Sequence, residues 1–446
     1  MSAELLSILA LIAMFVVATI FPVNLGALAL VGAFLVGTLA AGMETDTILD
    51  AFPGSLFVIL VGVTLLFAIA TNNGTVDWLV RAAVHLVRGR LVAIPLVVFV
   101  ISALLTAVGA PAPAVAAILA PIAFGFAADY RIHPMLIGLM VAHGTQAGAF
   151  SPISVLGGIV NGVTSEAGLP SDNLVLFLSS FAFNAAAAVG VFLVFGGRHL
   201  VGRDAHPATG GTASGTSGGG TGGGVVTAEA APGAATATAT ATGGSLRLTT
   251  HQALTLTGIL GLCLAVLAFK LDVGLTAVTV AVVLMLTSPK SNKGAVEKVA
   301  WPTVLLICGV VTYVGVLQEI GTVDYVGSAV AAIGIPLLVA LLICYVGGVV
   351  SAFASTVGIL GALVPLAVPL LAQGTLGPVA MIAALSVSSA IVDVSPFSTT
   401  GALLVANVKG MERDEFYRKL LTYGGVIVLV GPLAAWAVLV VPGWLG

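Results

Sequence analysis

Long apolar runs recur along the chain, and most are long enough to cross a membrane. Residues 4–21, 23–43, 55–72, 133–163, 173–196, 252–269, 273–288, 302–319, 377–408 and 421–442 are ten such segments. A helix of about 20 apolar residues spans a hydrocarbon core. Two further apolar stretches, 91–128 and 336–372, are each interrupted by a tip of small residues. The tips are Gly109-Ala110-Pro111-Ala112-Pro113 and Phe353-Ala354-Ser355-Thr356. Their limbs, about 15–18 residues, are short for a span, and neither tip carries the charge expected of a loop reaching water. The reading is two re-entrant hairpins that turn inside the protein; two full spans in each place is the alternative.

The halves repeat. NNGTVDWLV at 72–80 returns as EIGTVDYVG at 319–327, ahead of each hairpin. Pro121 on the first hairpin's return limb matches Pro365, 244 positions on. Ser151-Pro152 and Ser395-Pro396 keep the same offset, as do Ser154 and Ser398. Ordered anchors at near-constant spacing predict an internal duplication. Thr75 and Thr322 read as helix caps, with Asp77 and Asp324 in the first turn. Between the halves, 204–247 is glycine, threonine and alanine that cannot bury a core, and reads as a flexible linker. The predicted fold is an all-α polytopic membrane protein. Its repeats are 1–203 and 248–446, each with five transmembrane helices, one of them broken mid-membrane, and one re-entrant hairpin.

Composition and charge sharpen this picture. The 446 residues are 59% hydrophobic and 7% charged, against about 25% charged in soluble domains. The opening MSAELLSILALIAMFVVATIF has Glu4 where a signal peptide carries Lys or Arg, and reads as a retained first span. With ten spans, 14 of the 15 basic residues fall on one side, Lys270 being the exception. By the positive-inside rule that side is cytoplasmic. The linker is then cytoplasmic, both termini face outward, and the second half inserts upside down, as in secondary transporters. Cys263, Cys308 and Cys344 lie in apolar runs without a CxxC pair and read as small buried hydrophobes. There is no basic patch interleaved with aromatics, and nucleic acid is not an expected partner. No HExxH and no histidine cluster suggests an enzyme.

The chemistry concentrates at the two SP phrases, GAFSPISVLGG (148–158) and VDVSPFSTTGA (392–402). Each sits in the middle of an apolar segment too long for one straight crossing. Pro152 and Pro396 remove a helical N–H and clash with the preceding turn. A helix broken at membrane depth survives only where it lines a cavity or is buried in protein. The break exposes half-helix ends, whose N–H groups suit anions and whose carbonyls suit cations. Ser151, Ser154, Ser395, Ser398, Thr399 and Thr400 place hydroxyls beside those ends. The expectation is one central site to which each half contributes a break, with Ser355 and Thr356 of the second tip adding hydroxyls and Gly109, Ala110 and Pro111 of the first adding backbone. Asp393 and His143 are ionisable groups inside spans, where charge is costly. Asp393 is a candidate cation ligand or proton carrier, and His143 a candidate proton relay or substrate donor. No Lys or Arg lies inside a span, so a bound anion calls for a co-bound cation.

At these residues the chain resembles the ion-transporter superfamily. Within it, it is most similar to the divalent-anion:sodium symporters, and over roughly 1–200 to the MatC-type malonate and dicarboxylate carriers. The resemblance implies a homodimer in a bacterial inner membrane. Its hairpins and broken helices would move as an elevator against a scaffold, carrying malonate or a C4 dicarboxylate with Na+ or H+ and no other cofactor. It also implies Ser-Asn-Thr at each hairpin tip; here the second tip, Ala354-Ser355-Thr356, lacks the asparagine and the first, Ala110-Pro111-Ala112, lacks all three. A Na+/H+ antiporter of the same superfamily, using Asp393, is the alternative function.

Overall fold

The structure, a computed structural model, describes residues 2–21, 23–86, 91–166, 168–200, 248–322, 325, 335–353, 356–372 and 376–445. These residues form helices and turns, with no strand among them. The linker and Asp324 lie outside the described residues.

The first half runs α1 (Ala3–Ile20), α2 (Leu25–Leu35, continued by a π turn Val36–Ala40), α3 (Thr45–Asp50), α4 (Gly54–Asn72) and α5 (Thr75–Leu86). Then come a helical hairpin, α6 (Ala93–Ala107) and α7 (Ala112–Asp129), a broken helix, α8 (Pro134–Gly148) and α9 (Val155–Glu166), and α10 (Asn173–Val194). The second half begins α11 (Thr250–Leu267), α12 (Val273–Thr287) and α13 (Trp301–Glu319). It repeats the hairpin as α14 (Pro336–Phe353) and α15 (Thr356–Ala372), and the broken helix as α16 (Pro378–Ile391) and α17 (Thr399–Asn407). It closes on α18 (Arg413–Ala435), continued by a π turn Trp436–Val440. The molecule is a multi-pass membrane protein. Five segments are each long and apolar enough to cross alone: α4, α7, α10, α13 and α18 with its π turn.

Proline and small polar residues set the ends. Pro134 and Pro378 start α8 and α16, where a missing N–H costs nothing. Asp172, Asp272 and Thr249 cap α10, α12 and α11 through their side-chain oxygens. Three local features depart from the sequence reading. Short α3 was not among the expected elements. Thr75 is the first residue of α5 and not its cap: Gly74 turns at φ +73, which lets Asn73 Oδ1 reach the Thr75 N–H at 3.1 Å. The last helix starts at Arg413, because its polar first turns, stapled by Lys419–Glu415 at 2.7 Å, lie outside the hydropathic run.

The halves are packed through each other. Helix α2 lies on α13 and α4 lies on α12, so each half lends a helix to the other. Glycines make both crossings possible. A Cβ on Gly309 would run into the Gly26 backbone, and one on Gly26 into the Leu305 carbonyl. A Cβ on Gly274 would stand 2.7 Å from the Ile59 nitrogen, and one on Gly62 2.7 Å from the Gly274 oxygen. Between membrane helices, such close backbone approach is a main source of attraction. The same exchange recurs at the centre, where α7 packs on α17 and α15 on α9. The limbs before the breaks lie deepest: every residue of α8 and every residue of α16 from Ala380 to Ile391 is buried.

Candidate functional site

The helix breaks are two copies of one turn. In the first, Ser154 caps α9: its Oγ accepts from the Gly157 N–H at 3.2 Å and bonds back to the Ala149 and Ser151 carbonyls at 2.5 and 2.7 Å. In the second, Ser398 caps α17: its Oγ accepts from the Gly401 N–H at 3.0 Å and bonds back to the Asp393 and Ser395 carbonyls at 2.9 and 2.8 Å. The serine before each proline accepts from the second N–H onward, Ile153 and Phe397, both at 3.3 Å. Glycine is required three residues after the cap. A Cβ on Gly157 or Gly401 would collide with the carbonyl of Ser151 or Ser395. Proline thus breaks the helix, and serine and glycine give the break a fixed shape.

This geometry divides the predicted hydroxyls. Ser154 and Ser398, both 1% exposed, hold the turns together, and their hydroxyl protons are spent on the turns' own carbonyls. Ser151 Oγ donates to the Ala107 carbonyl at 2.6 Å and so ties the first break to the first hairpin. Pro152 is half-buried, Pro396 and Ser395 are buried, and Thr399 is exposed. Gly109 and Ala110 are buried, with Pro111 at the half-buried start of the return limb. Gly109 sits at φ +108 against Val63 and Ile153, so the first hairpin turns within the protein. Thr356 is buried and shares a 2.9 Å hydrogen bond with Ser351. Ala354 and Ser355 lie outside the described residues.

The turns differ in their polar groups, and Val155 and Leu156 of the first are Thr399 and Thr400 in the second. Where the first has Ala149, the second has Asp393 at the equivalent place. Asp393 Oδ2 accepts from Gln146 Nε2 at 2.6 Å and from Thr400 Oγ1 at 2.8 Å. Gln146 stands at the end of α8, so the carboxylate of one half's break is held by the other half's broken helix. Burying a carboxyl at this depth is tolerated because it is hydrogen-bonded on both flanks. Gln146 was no candidate in the sequence reading: an intramembrane amide has no meaning until its partner, 247 positions away, is known.

A second polar chain runs from α8 to the last helix. Asn184 Nδ2 donates to the Ser180 carbonyl at 3.0 Å, which orients the amide so that Oδ1 faces His143 Nδ1 at 2.9 Å. An oxygen there requires Nδ1 to carry the proton. Nε2 of neutral His143 is then the acceptor for the Tyr423 hydroxyl at 2.6 Å. Ser180 Oγ donates to the Gln146 carbonyl at 2.9 Å and joins this chain to the Asp393 cluster. His143 is fully buried and both its nitrogens are engaged, so in this conformation it does not face a substrate. Tyr423 and Asn184 contact His143, and Ser180 contacts Gln146. Among the described residues no three His, Cys, Asp or Glu side chains gather as a metal cluster.

Comparison with known proteins bears on both halves. Residues 1–149 match the family model described as the N-terminus of the dicarboxylate carrier protein MatC. The chain is also similar in structure to the YdaH transporter of Alcanivorax borkumensis, with a TM-score of 0.58 at 13% identity, over 88% of this chain and 89% of that one. No curated protein matches the sequence. The all-helical membrane fold expected from the sequence is thus one that a solved structure shares over nearly the whole length.

Proposed function

We propose that this chain is a secondary active transporter that carries a small dicarboxylate, malonate or a C4 acid, across a bacterial inner membrane. The observation that carries the reading is the pair of matching helix breaks, with Asp393 of one half held by Gln146 of the other. A site assembled from both halves at their junction is what alternating access requires. The match of residues 1–149 to the dicarboxylate carrier model supports the substrate class. Partner exchange between α2, α4, α12 and α13 supports two halves related by a two-fold axis, as an inverted repeat demands.

In this mechanism the substrate carboxylates lie against the half-helix N-termini of α9 and α17, with Ser395, Thr399 and Thr356 as hydroxyl donors. Ser151, Ser154 and Ser398 keep the breaks in shape. Asp393 and Thr400 offer hard oxygen ligands of the kind Na+ favours, or Asp393 carries the coupling proton. Either way the coupling ion brings the positive charge that the spans lack. The hairpins and broken helices move as one body against the remaining helices, in a homodimer.

The test is uptake of labelled malonate and succinate into proteoliposomes, with inward Na+ and H+ gradients imposed separately. Accumulation under one gradient supports the reading and names the ion. No accumulation of either acid under either gradient, with folded protein in the membrane, overturns it. The second reading, a Na+/H+ antiporter, is favoured by Asp393 alone. It predicts sodium flux driven by acidity and indifferent to dicarboxylates.

A further inference from the structure

Two cavities adjoin where α7 and α10 end and α8 and α18 begin. One, about 340 Å³, is a cup lined by Arg131, His133 and His199. The other, about 660 Å³, is a groove between α10 and α18. Its walls are Ala187, Gly190, Val191, Val426 and Ile427, and Arg418 and Lys419 stand at one end. Val194 and Phe195 line both cavities, so cup and groove adjoin across a shared wall. The Phe195 ring lies 5.5 Å from His133 and 6.5 Å from Tyr423, and forms the partition between them.

The arrangement selects an amphiphile. Alkyl walls accept a hydrocarbon chain and give a hydrated ion nothing to bind. The cup offers one guanidinium group, Arg131, and the adjoining groove a second, Arg418, and both match phosphate in charge and fork geometry. Lys419 is paired with Glu415 at 2.7 Å and contributes less. The flanks of the groove face outward as apolar surface, with Val194 76% and Val426 51% exposed, which is where a lipid arrives. By the positive-inside rule this end is cytoplasmic, and anionic lipids give that leaflet its negative surface.

We propose that cup and groove together bind one anionic phospholipid, its phosphate between Arg131 and Arg418 and an acyl chain along α10 and α18. Tyr423, which hydrogen-bonds His143, lines the groove. An occupied groove therefore holds the outer end of the polar chain that leads to Gln146 and Asp393. The inference requires the membrane setting and not the transport reading.

Native mass spectrometry of the full chain in detergent, with graded additions of phosphatidylglycerol or phosphatidylcholine, tests it. One phosphatidylglycerol per chain is expected to bind about tenfold or more tightly than phosphatidylcholine. Arg131→Asn combined with Arg418→Gln should erase that preference. Asn tolerates the left-handed backbone of Arg131, φ +53, so the fold is kept. Gly190→Phe should abolish tight binding of either lipid. Gly190 lines the groove, and a Cβ there meets nothing within 4 Å, so a side chain can be added without a clash at its root. Gly190→Leu is the milder form should Phe lower the yield of monodisperse protein. Glycerol 3-phosphate, the headgroup chemistry without a chain, should not displace the lipid. No preference between lipids, unchanged binding in the folded groove variants, preference retained in the double charge variant, or displacement by glycerol 3-phosphate would each overturn the proposal.

Discussion

Asp393 separates fold from function, and two substitutions tell them apart. Asp393→Ala removes the acceptor of both Gln146 Nε2 and Thr400 Oγ1, which lie at 2.6 and 2.8 Å. Gln146 Oε1 already has no partner among the described residues, so the amide would lose its last side-chain contact. A buried donor left unpaired costs about 1–3 kcal/mol. Interhelical hydrogen bonds in membrane proteins average only about 0.6 kcal/mol, because the displaced groups find other partners. The expected loss for Asp393→Ala therefore lies between about 1 and 6 kcal/mol, with the lower half favoured by the membrane data. Asp393→Asn keeps an oxygen in the same place for both donors. Neutral hydrogen bonds are about half as strong as charge-assisted ones, but the neutral side chain is also easier to bury. Its stability should stay within about 1 kcal/mol of the parent. Thermal unfolding in detergent gives the order parent, Asn, Ala. Gradient-driven accumulation in proteoliposomes should be lost in both, since neither side chain is a carboxylate. Equal unfolding temperatures for Ala and the parent would refute the hydrogen-bond reasoning. Accumulation retained by Asp393→Asn would refute the role of the carboxylate.

The helix breaks and crossings make further predictions. Gly401→Ala or Gly157→Ala forces a Cβ into the carbonyl of Ser395 or Ser151 and should abolish uptake, while Gly261→Ala, where a Cβ meets nothing, should leave it unchanged. Gly309→Ala should destabilise by about 1–3 kcal/mol or more by wedging α2 from α13, read as a lowered unfolding temperature. Asn73→Ala should cost about 0.5–2 kcal/mol as a lost cap, and Asn73→Ser much less, by the same measurement. Tyr423→Phe strips the donor from His143 Nε2, and nitrogen NMR of the imidazole should report a changed Nε2 environment while Nδ1 stays protonated.

Much of the framework was legible because hydropathy and proline act locally. The hairpin 91–128 became α6 and α7, and the break placed in 133–163 fell between Gly148 and Val155. The break in 377–408 fell between Ile391 and Thr399. Helix α3 escaped notice because its six residues, TDTILD, are too few and too polar to make an apolar run. The wiring of the two breaks was not legible. Ser154 and Ser398 looked like ligand donors, yet a serine three residues before a required glycine is a cap, and the local bonds claim it first. Asp393 stood out through the cost of burying it, whereas its holder Gln146 did not. Which helix crosses which is decided by glycines on opposite halves, and such pairings have no local signature.

Those crossings also govern how the molecule can be made. While the ribosome is still translating the second half, α2 and α4 are already in the bilayer, and the helices they fit, α13 and α12, do not yet exist. Their glycine faces must wait unpaired among lipids or in transient company. Assembly is then a late, all-at-once closure of two halves, and not the stacking of a finished first domain beside a second. A gene split within 204–247 should yield two fragments that are each unstable alone and rescue one another when produced together.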